Sequence, residues 1–188
     1  MPAVKIAGVV LAAGLSTRFG ASKQLAELNG ETLVEHAVRI ANEAGLSPVI
    51  AVILDAALID SLQNLGATVL LNRRTYEGLS TSIAVGVGAA KAQSAEGVVL
   101  MTCDQPALTV EHLRGLIVEP SAAAGSAYAG RVGVPAYFPA AMFGELMQLK
   151  GDAGARELLR AARAVPNEAL ALDIDTPVDL ERARSVLG

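Results

Sequence analysis

An apolar strand that runs directly into a glycine-containing loop constrains this chain more than any other feature. The strand-like residues 4–11 precede a loop at 12–23 that reads Ala-Ala-Gly-Leu-Ser-Thr-Arg-Phe-Gly-Ala-Ser-Lys. Glycines and small residues let backbone N–H groups turn toward a bound anion, and Arg18 and Lys23 add two cations. The sequence therefore predicts a phosphate-binding loop at the end of a strand.

The spacing within this loop excludes the two commonest phosphate-binding motifs. Five residues separate Gly14 from Gly20, and Lys23 follows three positions later, so the Gly-x-x-x-x-Gly-Lys-Ser/Thr pattern is not met. The Gly-x-Gly-x-x-Gly fingerprint of dinucleotide-binding proteins is not met either, because the loop contains only these two glycines. A different kind of nucleotide site is expected.

Short apolar runs alternate with amphipathic stretches along the rest of the chain, which is typical of βαβ units and a parallel sheet. We expect an α/β fold, a three-layer helix–sheet–helix sandwich with a Rossmann-like, mostly parallel sheet. The predicted strands are 5–11, 49–54, 68–71, 98–102, a segment near 126–138, and 169–174. The predicted helices are 32–44, 57–65, 81–93, 110–118, 140–149, 153–163 and 177–187. Residues 120–126 have the weakest pattern and are expected to form a surface loop.

Composition narrows the class of protein. The 188 residues, 52% hydrophobic and 18% charged, suit one globular domain spanning 1–188. A single cysteine, Cys103, excludes an internal disulfide and a cysteine-based zinc site. A net charge of −4 with no Trp argues against a nucleic-acid partner. Apolar runs well short of about 20 residues predict no membrane segment, and we expect a cytoplasmic protein.

Three polar motifs follow predicted strands. The glycine loop follows the first strand, Cys103-Asp104-Gln105-Pro106 follows the strand ending at Thr102, and Asp175 follows the segment ending near Ile174. Ligands of open α/β sheets bind beyond the carboxyl ends of the strands. We therefore expect these motifs to converge at one rim.

The loop pattern resembles a known family signature. Leu11-Ala12-Ala13-Gly14-x-Ser16-x-Arg18-x-Gly20-x-x-Lys23 is similar to the signature of the nucleotidyltransferases that include molybdenum cofactor cytidylyltransferases and guanylyltransferases. Further segments resemble the cytidylyltransferase-like (MocA/MobA-like) branch: 72–83 with Gly78-Leu79-Ser80-Thr81-Ser82, Cys103–Pro106, 151–156, and 173–177. Together these segments span nearly the whole chain.

The resemblance implies roles for the charged residues. Asp104 and Asp175 would hold Mg²⁺, with Asp173 as the alternative second ligand, and Lys23 and Arg18 would neutralise charge on the α-phosphate and the leaving pyrophosphate. The residues alone allow other interpretations. Asp104 could begin an Asx turn, and the two cations could be solvated loop residues. We expect Lys23 to act through its charge and not through packing, so Lys23→Ala should change stability by less than about 0.5 kcal/mol while activity falls by a much larger factor.

The resemblance also implies contacts with the two substrates. The nucleotide would lie against Leu11, Ala12, Ala13, Gly14, Gly78, Leu79 and Ser80. Arg156 would help to shape the acceptor side. From the residues alone, the 78–82 segment and the segment beginning at Gly151 could each simply start a helix. Thr176, Pro177 and Asp179 fit the N-cap, first and third positions of a C-terminal helix.

The implied activity is Mg²⁺-dependent transfer of CMP from CTP to a phosphorylated acceptor such as molybdopterin, with release of pyrophosphate, and a molybdoenzyme or its chaperone as recipient of the product. The Ala13 methyl group, where guanylyltransferases of the family have glycine, predicts a preference for CTP over GTP. Val134 stands where the family often carries His, which leaves the acceptor open. His36 and His112 lie in helical patterns and are interpreted as structural.

Two alternatives to this activity stay open. One is a cytidylyl- or guanylyltransferase acting on another small phosphate, such as methylerythritol phosphate. The other is a nucleotide-binding regulator without turnover. The presence of both acidic residues and both cations argues against a regulator.

Overall fold

A computed structural model describes residues 4–16, 19–20, 22–152 and 154–188. Within them, seven strands form one sheet in the order β5-β4-β1-β6-β8-β7-β9, and β2 and β3 form a separate antiparallel hairpin. The strands are β1 (Ile6–Ala12), β2 (Glu27–Leu28), β3 (Glu31–Thr32), β4 (Val49–Ile53), β5 (Thr68–Leu71), β6 (Gly97–Thr102), β7 (Ala124–Tyr128), β8 (Arg131–Pro139) and β9 (Arg163–Pro166). The seven-stranded sheet is parallel except for β8.

Helices cover both faces of the sheet. They are α1 (Leu33–Glu43), α2 (Ile59–Asn64), α3 (Leu79–Ala92), α4 (Val110–Leu116), α5 (Phe143–Gln148) and α6 (Pro177–Leu187). One hydrophobic core contains buried residues of α1, α2, α4 and α6, and the other contains those of α3 and α5. The three-layer sandwich predicted from the sequence is confirmed. None of the helices in the described residues combines the length and the apolar character needed to cross a bilayer.

Strand β1 lies at the centre of the parallel part of the sheet. Every one of its residues is buried, and it pairs with β4 on one side and β6 on the other. Alternate side chains enter opposite cores, because successive residues of a strand point to opposite faces: Val10 and Ala12 pack beside α1, while Val9 and Leu11 pack beside α3. The loop that follows β1 is therefore anchored by the most constrained strand of the sheet.

Side-chain caps fix where two of the long helices begin. At α1, the Thr32 hydroxyl accepts from the Glu35 amide, and the Glu35 carboxylate accepts from the Thr32 amide. Thr176 and Asp179 form the same reciprocal arrangement at α6, with Pro177 at its first position. The predicted start of the C-terminal helix is confirmed.

The segment 120–138 differs from its prediction. Residues 120–126 are not entirely a surface loop, because Ala124 begins the buried strand β7. The region near 126–138 is a hairpin rather than one strand, with β7 and β8 joined by Ala129 and Gly130. Both turn residues have positive φ, of 48° and 70°, as the type I′ hairpin turn requires.

The segment 153–174 also differs from its prediction. Instead of a helix over 153–163, the described part contains a 3₁₀ helix at Arg156–Leu159 followed by strand β9, which pairs in parallel with β7. Instead of a strand over 169–174, a 3₁₀ helix at Glu168–Ala171 leads into an unpaired stretch. Alternating Leu170, Leu172 and Ile174 imitate strand periodicity, but only Leu170 and Ile174 are buried.

A buried polar chain ties α4 to the β7–β8 hairpin. His112 Nε2 lies 2.7 Å from Ser126 Oγ, which donates to the Pro135 carbonyl oxygen at 2.6 Å. A hydroxyl has one hydrogen, so His112 Nε2 must donate to Ser126. Burial lowers the pKa of His112 below its ordinary value of 6.5.

Gly78 occupies a position that only glycine can fill. Its φ is +104°, and an added Cβ would lie 2.3 Å from the Gly151 carbonyl carbon. We expect Gly78→Ala to lower the free energy of unfolding by about 3 kcal/mol or more, measured by urea denaturation. The matched control is Gly88→Ala in the interior of α3, where an added methyl group meets nothing within 4 Å. It should stabilise the protein by about 0.5–1 kcal/mol. Equal effects at the two positions would contradict this assignment.

The lowered pKa of His112 predicts a pH-dependent stability. The unfolded chain binds a proton at a higher pH than the folded chain does, so stability is complete above about pH 6.5 and declines as the pH falls below it. Unfolding curves recorded across this range should show the decline. In His112→Gln, the glutamine can still donate to Ser126 but does not titrate, so the loss of stability at low pH should be smaller. An unchanged pH profile in this variant would assign the dependence to other groups.

Candidate active site

Gln24 organises the described part of the glycine loop. Its side-chain amide donates to the Gly14 carbonyl at 2.8 Å, and its Oε1 accepts from the hydroxyls of Ser22 and Ser16 at 2.8 and 3.2 Å. The Ser16 hydroxyl also accepts from the Lys23 amide. Gln24 is only 4% exposed. This role could not be predicted from the sequence, because an isolated glutamine carries no recognisable pattern.

Lys23 lies between the two predicted metal ligands. Its Nζ donates to Asp104 Oδ2 at 2.9 Å, to Asp175 Oδ1 at 3.1 Å and to the Ile174 carbonyl oxygen at 3.1 Å. The Lys23 side chain is only 13% exposed, which does not fit the alternative of a solvated lysine. The same burial removes the premise of the negligible stability change expected for Lys23→Ala. The predicted convergence of Lys23, Asp104 and Asp175 at one rim is observed.

Backbone contacts bring the two aspartates together across a long sequence separation. Asp104 follows β6, and its carbonyl oxygen accepts from the Ile174 amide at 2.8 Å. The Gln105 side chain, itself buried, donates to the Leu170 carbonyl oxygen. Asp175 then immediately precedes the N-cap of α6. Its position therefore depends on docking of an irregular segment, not on the strand that the sequence predicted.

The site carries concentrated negative charge. Burial lowers the pKa of Lys23, but the charges of Asp104 and Asp175 and hydrogen bonds to both outweigh it, so the net pKa lies above the ordinary value. Partial burial, with the charges of Asp104 and Asp175, raises the pKa of Asp173. Asp173 is therefore electrostatically coupled to the pair while making no described hydrogen bond to Lys23. Burial raises the pKa of the neighbouring Cys103 thiol to about 12, which excludes a thiolate nucleophile at neutral pH.

Two hard oxygen ligands for a cation are present at this rim. Among the described residues there is no group of three or more His, Cys, Asp or Glu side chains arranged to hold a metal. Asp104 and Asp175 nevertheless approach one point, occupied by the Lys23 ammonium, together with the Ile174 carbonyl oxygen. Such a donor set fits Mg²⁺, which is usually held by one or two carboxylates and completed by phosphate oxygens and water.

A cavity of about 280 Å³ opens beside the glycine loop. Ala12, Gly14, Leu15, Ser22, Gln24, Leu54, Asp55 and Leu58 line it. Leu54 and Asp55 follow β4, and the sequence did not single them out. Ala13 does not line the cavity; it is 2% exposed and packs in the core beside α3. Its methyl group is therefore not positioned to crowd a base, and Leu11 is likewise buried.

The backbone amides of Gly78, Leu79 and Ser80 donate hydrogen bonds within the protein. The Leu79 amide donates to Asp152 Oδ1 at 3.3 Å, and the Ser80 amide donates to the Gly151 carbonyl at 3.1 Å. These bonds use the amides that the start of α3 would offer to a ligand, and Ser80 is 4% exposed. The interpretation of Gly78–Ser82 as a helix start matches this geometry. Asp152 caps α3 rather than beginning a helix of its own.

The predicted acceptor-side arginine and the two histidines make no described contact with Lys23, Asp104 or Asp175. Arg18 is outside the described residues. Arg156 is exposed and lines a different cavity, of about 380 Å³, with Val132, Glu157, Leu159 and Arg160. His36 contacts Glu31 at 2.8 Å, and Arg39 binds the same carboxylate. This histidine belongs to a polar cluster on α1 and β3.

The role of Gln24 can be tested by removing its side chain. Gln24→Ala leaves the Gly14 carbonyl and two serine hydroxyls without their partner, so we expect a loss of about 1–3 kcal/mol in the free energy of unfolding. The exposed Gln63 on α2 provides the control, since Gln63→Ala should change stability by no more than about 0.5 kcal/mol. Chemical denaturation of both variants checks this, and a Gln24→Ala protein as stable as the control would contradict it.

Comparisons with known proteins agree with this architecture. The MobA-like NTP transferase domain matches residues 8–166. The purine catabolism protein PucB of Bacillus subtilis is 30% identical over 200 residues, covering 96% of this chain and 97% of PucB. A probable molybdenum cofactor guanylyltransferase of Opitutus terrae is 49% identical over 47 residues, 25% of this chain and 23% of that protein.

Two solved structures are similar over nearly the full length. Rv0371c of Mycobacterium tuberculosis, in a complex with manganese, is 30% identical with a TM-score of 0.77, covering 97% of this chain and 99% of that one. A nucleotidyl transferase from Methanothermobacter is 25% identical with a TM-score of 0.82, covering 96% of each chain. The chain belongs to the MobA-like NTP transferase family and is a nucleotidyltransferase.

Proposed function

We propose that this protein transfers CMP from CTP to the phosphate of molybdopterin, with Mg²⁺ as cofactor and pyrophosphate as the second product. The observation that carries the proposal is the convergence of Lys23, Asp104 and Asp175 beside the glycine loop. Carboxylates and a lysine at the end of a phosphate-binding loop suit reactions in which charge on phosphate must be neutralised. Membership of the NTP transferase family supports the same class of reaction.

Asp104 and Asp175 are the residues proposed to hold the divalent cation, with Asp173 as the neighbouring carboxylate. When bound, the ion would neutralise phosphate charge and help to orient the triphosphate. The manganese complex of the similar Rv0371c structure supports a divalent cation in this fold. The hard oxygen donors of the site support Mg²⁺ as the proposed ion.

The proposed chemistry needs no protein base. A phosphate of the acceptor is already ionised near neutral pH, so one of its oxygens can attack the α-phosphorus of CTP directly. A new P–O bond forms, the bond from the α-phosphorus to the α,β-bridging oxygen breaks, and pyrophosphate leaves with that electron pair. Lys23, and Arg18 from the same loop, would neutralise the charge that develops. Catalysis would then consist of alignment and charge stabilisation.

The triphosphate is proposed to follow the loop 11–14, contacting backbone groups rather than the buried side chains of Leu11 and Ala13. The cavity at Ala12, Leu54 and Asp55 is the proposed position of the base, because it adjoins the loop and contains polar groups for recognition. Gly78, Leu79 and Ser80 would then support the site through packing, because their amides are already hydrogen-bonded.

CTP remains the proposed donor, on the resemblance of Leu11-Ala12-Ala13-Gly14 to the cytidylyltransferase form of the loop. The burial of Ala13 removes the steric argument for that choice, and the short match to a probable guanylyltransferase favours GTP as the alternative donor. That same match supports molybdenum cofactor as the acceptor. Arg156, which lines a separate cavity, is proposed to contribute only to the acceptor side.

The proposal is tested by incubating the full chain with Mg²⁺, molybdopterin and either CTP or GTP, while measuring pyrophosphate release and the dinucleotide product. We expect a higher kcat/KM with CTP. Asp104→Asn and Asp175→Asn should fold but lose most of the activity, each by at least about a hundredfold, since they weaken charge neutralisation at the transition state.

Asp60→Asn, on the exposed surface of α2, is the matched control and should retain native activity. Preferred use of GTP would replace the cytidylyl assignment by a guanylyl one. If the protein used methylerythritol phosphate and not molybdopterin, the acceptor would be reassigned to methylerythritol phosphate. No pyrophosphate with any nucleoside triphosphate and either acceptor would overturn the proposal in favour of a regulator.

A further inference from the structure

All three hydrogen-bond donors of the Lys23 ammonium are used within the protein. They reach Asp104 Oδ2 at 2.9 Å, Asp175 Oδ1 at 3.1 Å and the Ile174 carbonyl oxygen at 3.1 Å. An ammonium group has three hydrogens, so none is left for a phosphate oxygen in this arrangement. The side chain is 13% exposed, and those of Asp104 and Asp175 are 21% and 30% exposed. Lys23 must therefore release at least one of these oxygens before it can bind a triphosphate.

The carboxylates that hold Lys23 are also the two proposed to bind the divalent cation. Asp104 Oδ2 and Asp175 Oδ1 both lie within about 3 Å of Nζ, so a cation bound between them would have to share its position with a positive charge. Two like charges a few ångströms apart in a partly buried site repel each other strongly, because water screens them little there. The ammonium and the metal ion cannot both occupy the point where these oxygens meet.

We propose that Lys23 is an exchangeable counter-ion that occupies the metal position of the nucleotide-free protein. A triphosphate, which offers new oxygen acceptors, draws Lys23 away from the carboxylates and supplies further ligands for the metal ion. Metal and triphosphate therefore enter the site together, and neither replaces Lys23 effectively alone. The inference rests on the proposed function in one respect, that the second ligand is a nucleoside triphosphate.

This exchange makes binding of the two ligands cooperative. Because coupling between two sites is reciprocal, CTP must raise the affinity for the metal ion by the same factor by which the metal raises the affinity for CTP. Removal of the Lys23 charge should uncouple them. It vacates the metal position, so that metal alone binds more tightly, and it removes a phosphate contact, so that CTP binds less tightly. If Lys23 only contacted phosphate, its removal would weaken the binding of CTP and leave the affinity for the metal ion alone unchanged.

The test measures free Mn²⁺ by electron paramagnetic resonance during titration of the full-length protein, first without nucleotide and then with CTP in the absence of acceptor. Lys23→Met should bind Mn²⁺ alone about tenfold or more tightly than the native protein, the scale of a neighbouring charge in a partly buried site. CTP should raise the Mn²⁺ affinity of the native protein and have a much smaller effect in Lys23→Met. Lys91→Met, at an exposed position of α3, is the matched control and should behave as the native protein.

Lys23→Arg keeps the charge and should keep weak binding of Mn²⁺ alone, which tests the inference even where Lys23→Met folds poorly. Thermal unfolding provides a second readout: Lys23→Met should be stabilised by Mn²⁺ alone more strongly than the native protein is. Unchanged or weaker Mn²⁺ affinity in a folded Lys23→Met, or tighter binding in Lys23→Arg, would overturn the inference. The metal-only titration contains neither nucleotide nor acceptor, so a failure of the proposed transfer reaction would be seen separately, in the activity assay.

Discussion

One ammonium group holds together parts of the chain that are far apart in sequence. Lys23 is separated from Asp104 by 81 residues and from Asp175 by 152, yet it contacts both. Without a cation, the carboxylates of Asp104 and Asp175 would repel each other at a partly desolvated rim. Partial burial raises the pKa of Asp173, and the negative charges of Asp104 and Asp175 raise it further. Both the arrangement of the rim and its capacity to accept a cation depend on this compensation of charge.

The sheet makes the contact possible. The parallel strands β1 and β6 are neighbours, so the loop after β1 and Asp104 after β6 emerge at the same edge. Side chains of β1 pack in the cores on both faces of the sheet, and this packing fixes the direction in which the following loop leaves the strand. Hydrogen bonds from the Gln24 side chain then fix the shape of the described part of that loop. Asp175 is positioned differently, because the preceding residue, Ile174, donates its amide to the Asp104 carbonyl oxygen.

Sequence reasoning worked where a local pattern determines structure and failed where a distant partner does. Strand β1, the α6 cap and the convergence of Lys23 with Asp104 could be predicted, because strand periodicity, capping residues and parallel topology each leave a local or topological signature. Strand β9 could not. It is an edge strand ending at Pro166, and its pairing with β7 is visible only in the folded chain. The hydrogen bond from the Leu79 amide to Asp152 and the burial of Ala13 could not be predicted either, because both depend on the tertiary structure.

The long separation between Lys23 and Asp175 has a consequence for biosynthesis. A ribosome adds about 5–20 residues per second, so Lys23 exists for about 8–30 s before Asp175 is made. Strands β1, β4, β5 and β6 can pair during that interval, whereas the carboxylates of Asp173 and Asp175 have not yet been made. The nascent chain therefore has a nearly complete sheet before it has a complete site, and the capacity for coupled cation and nucleotide binding emerges only as the last helix is added.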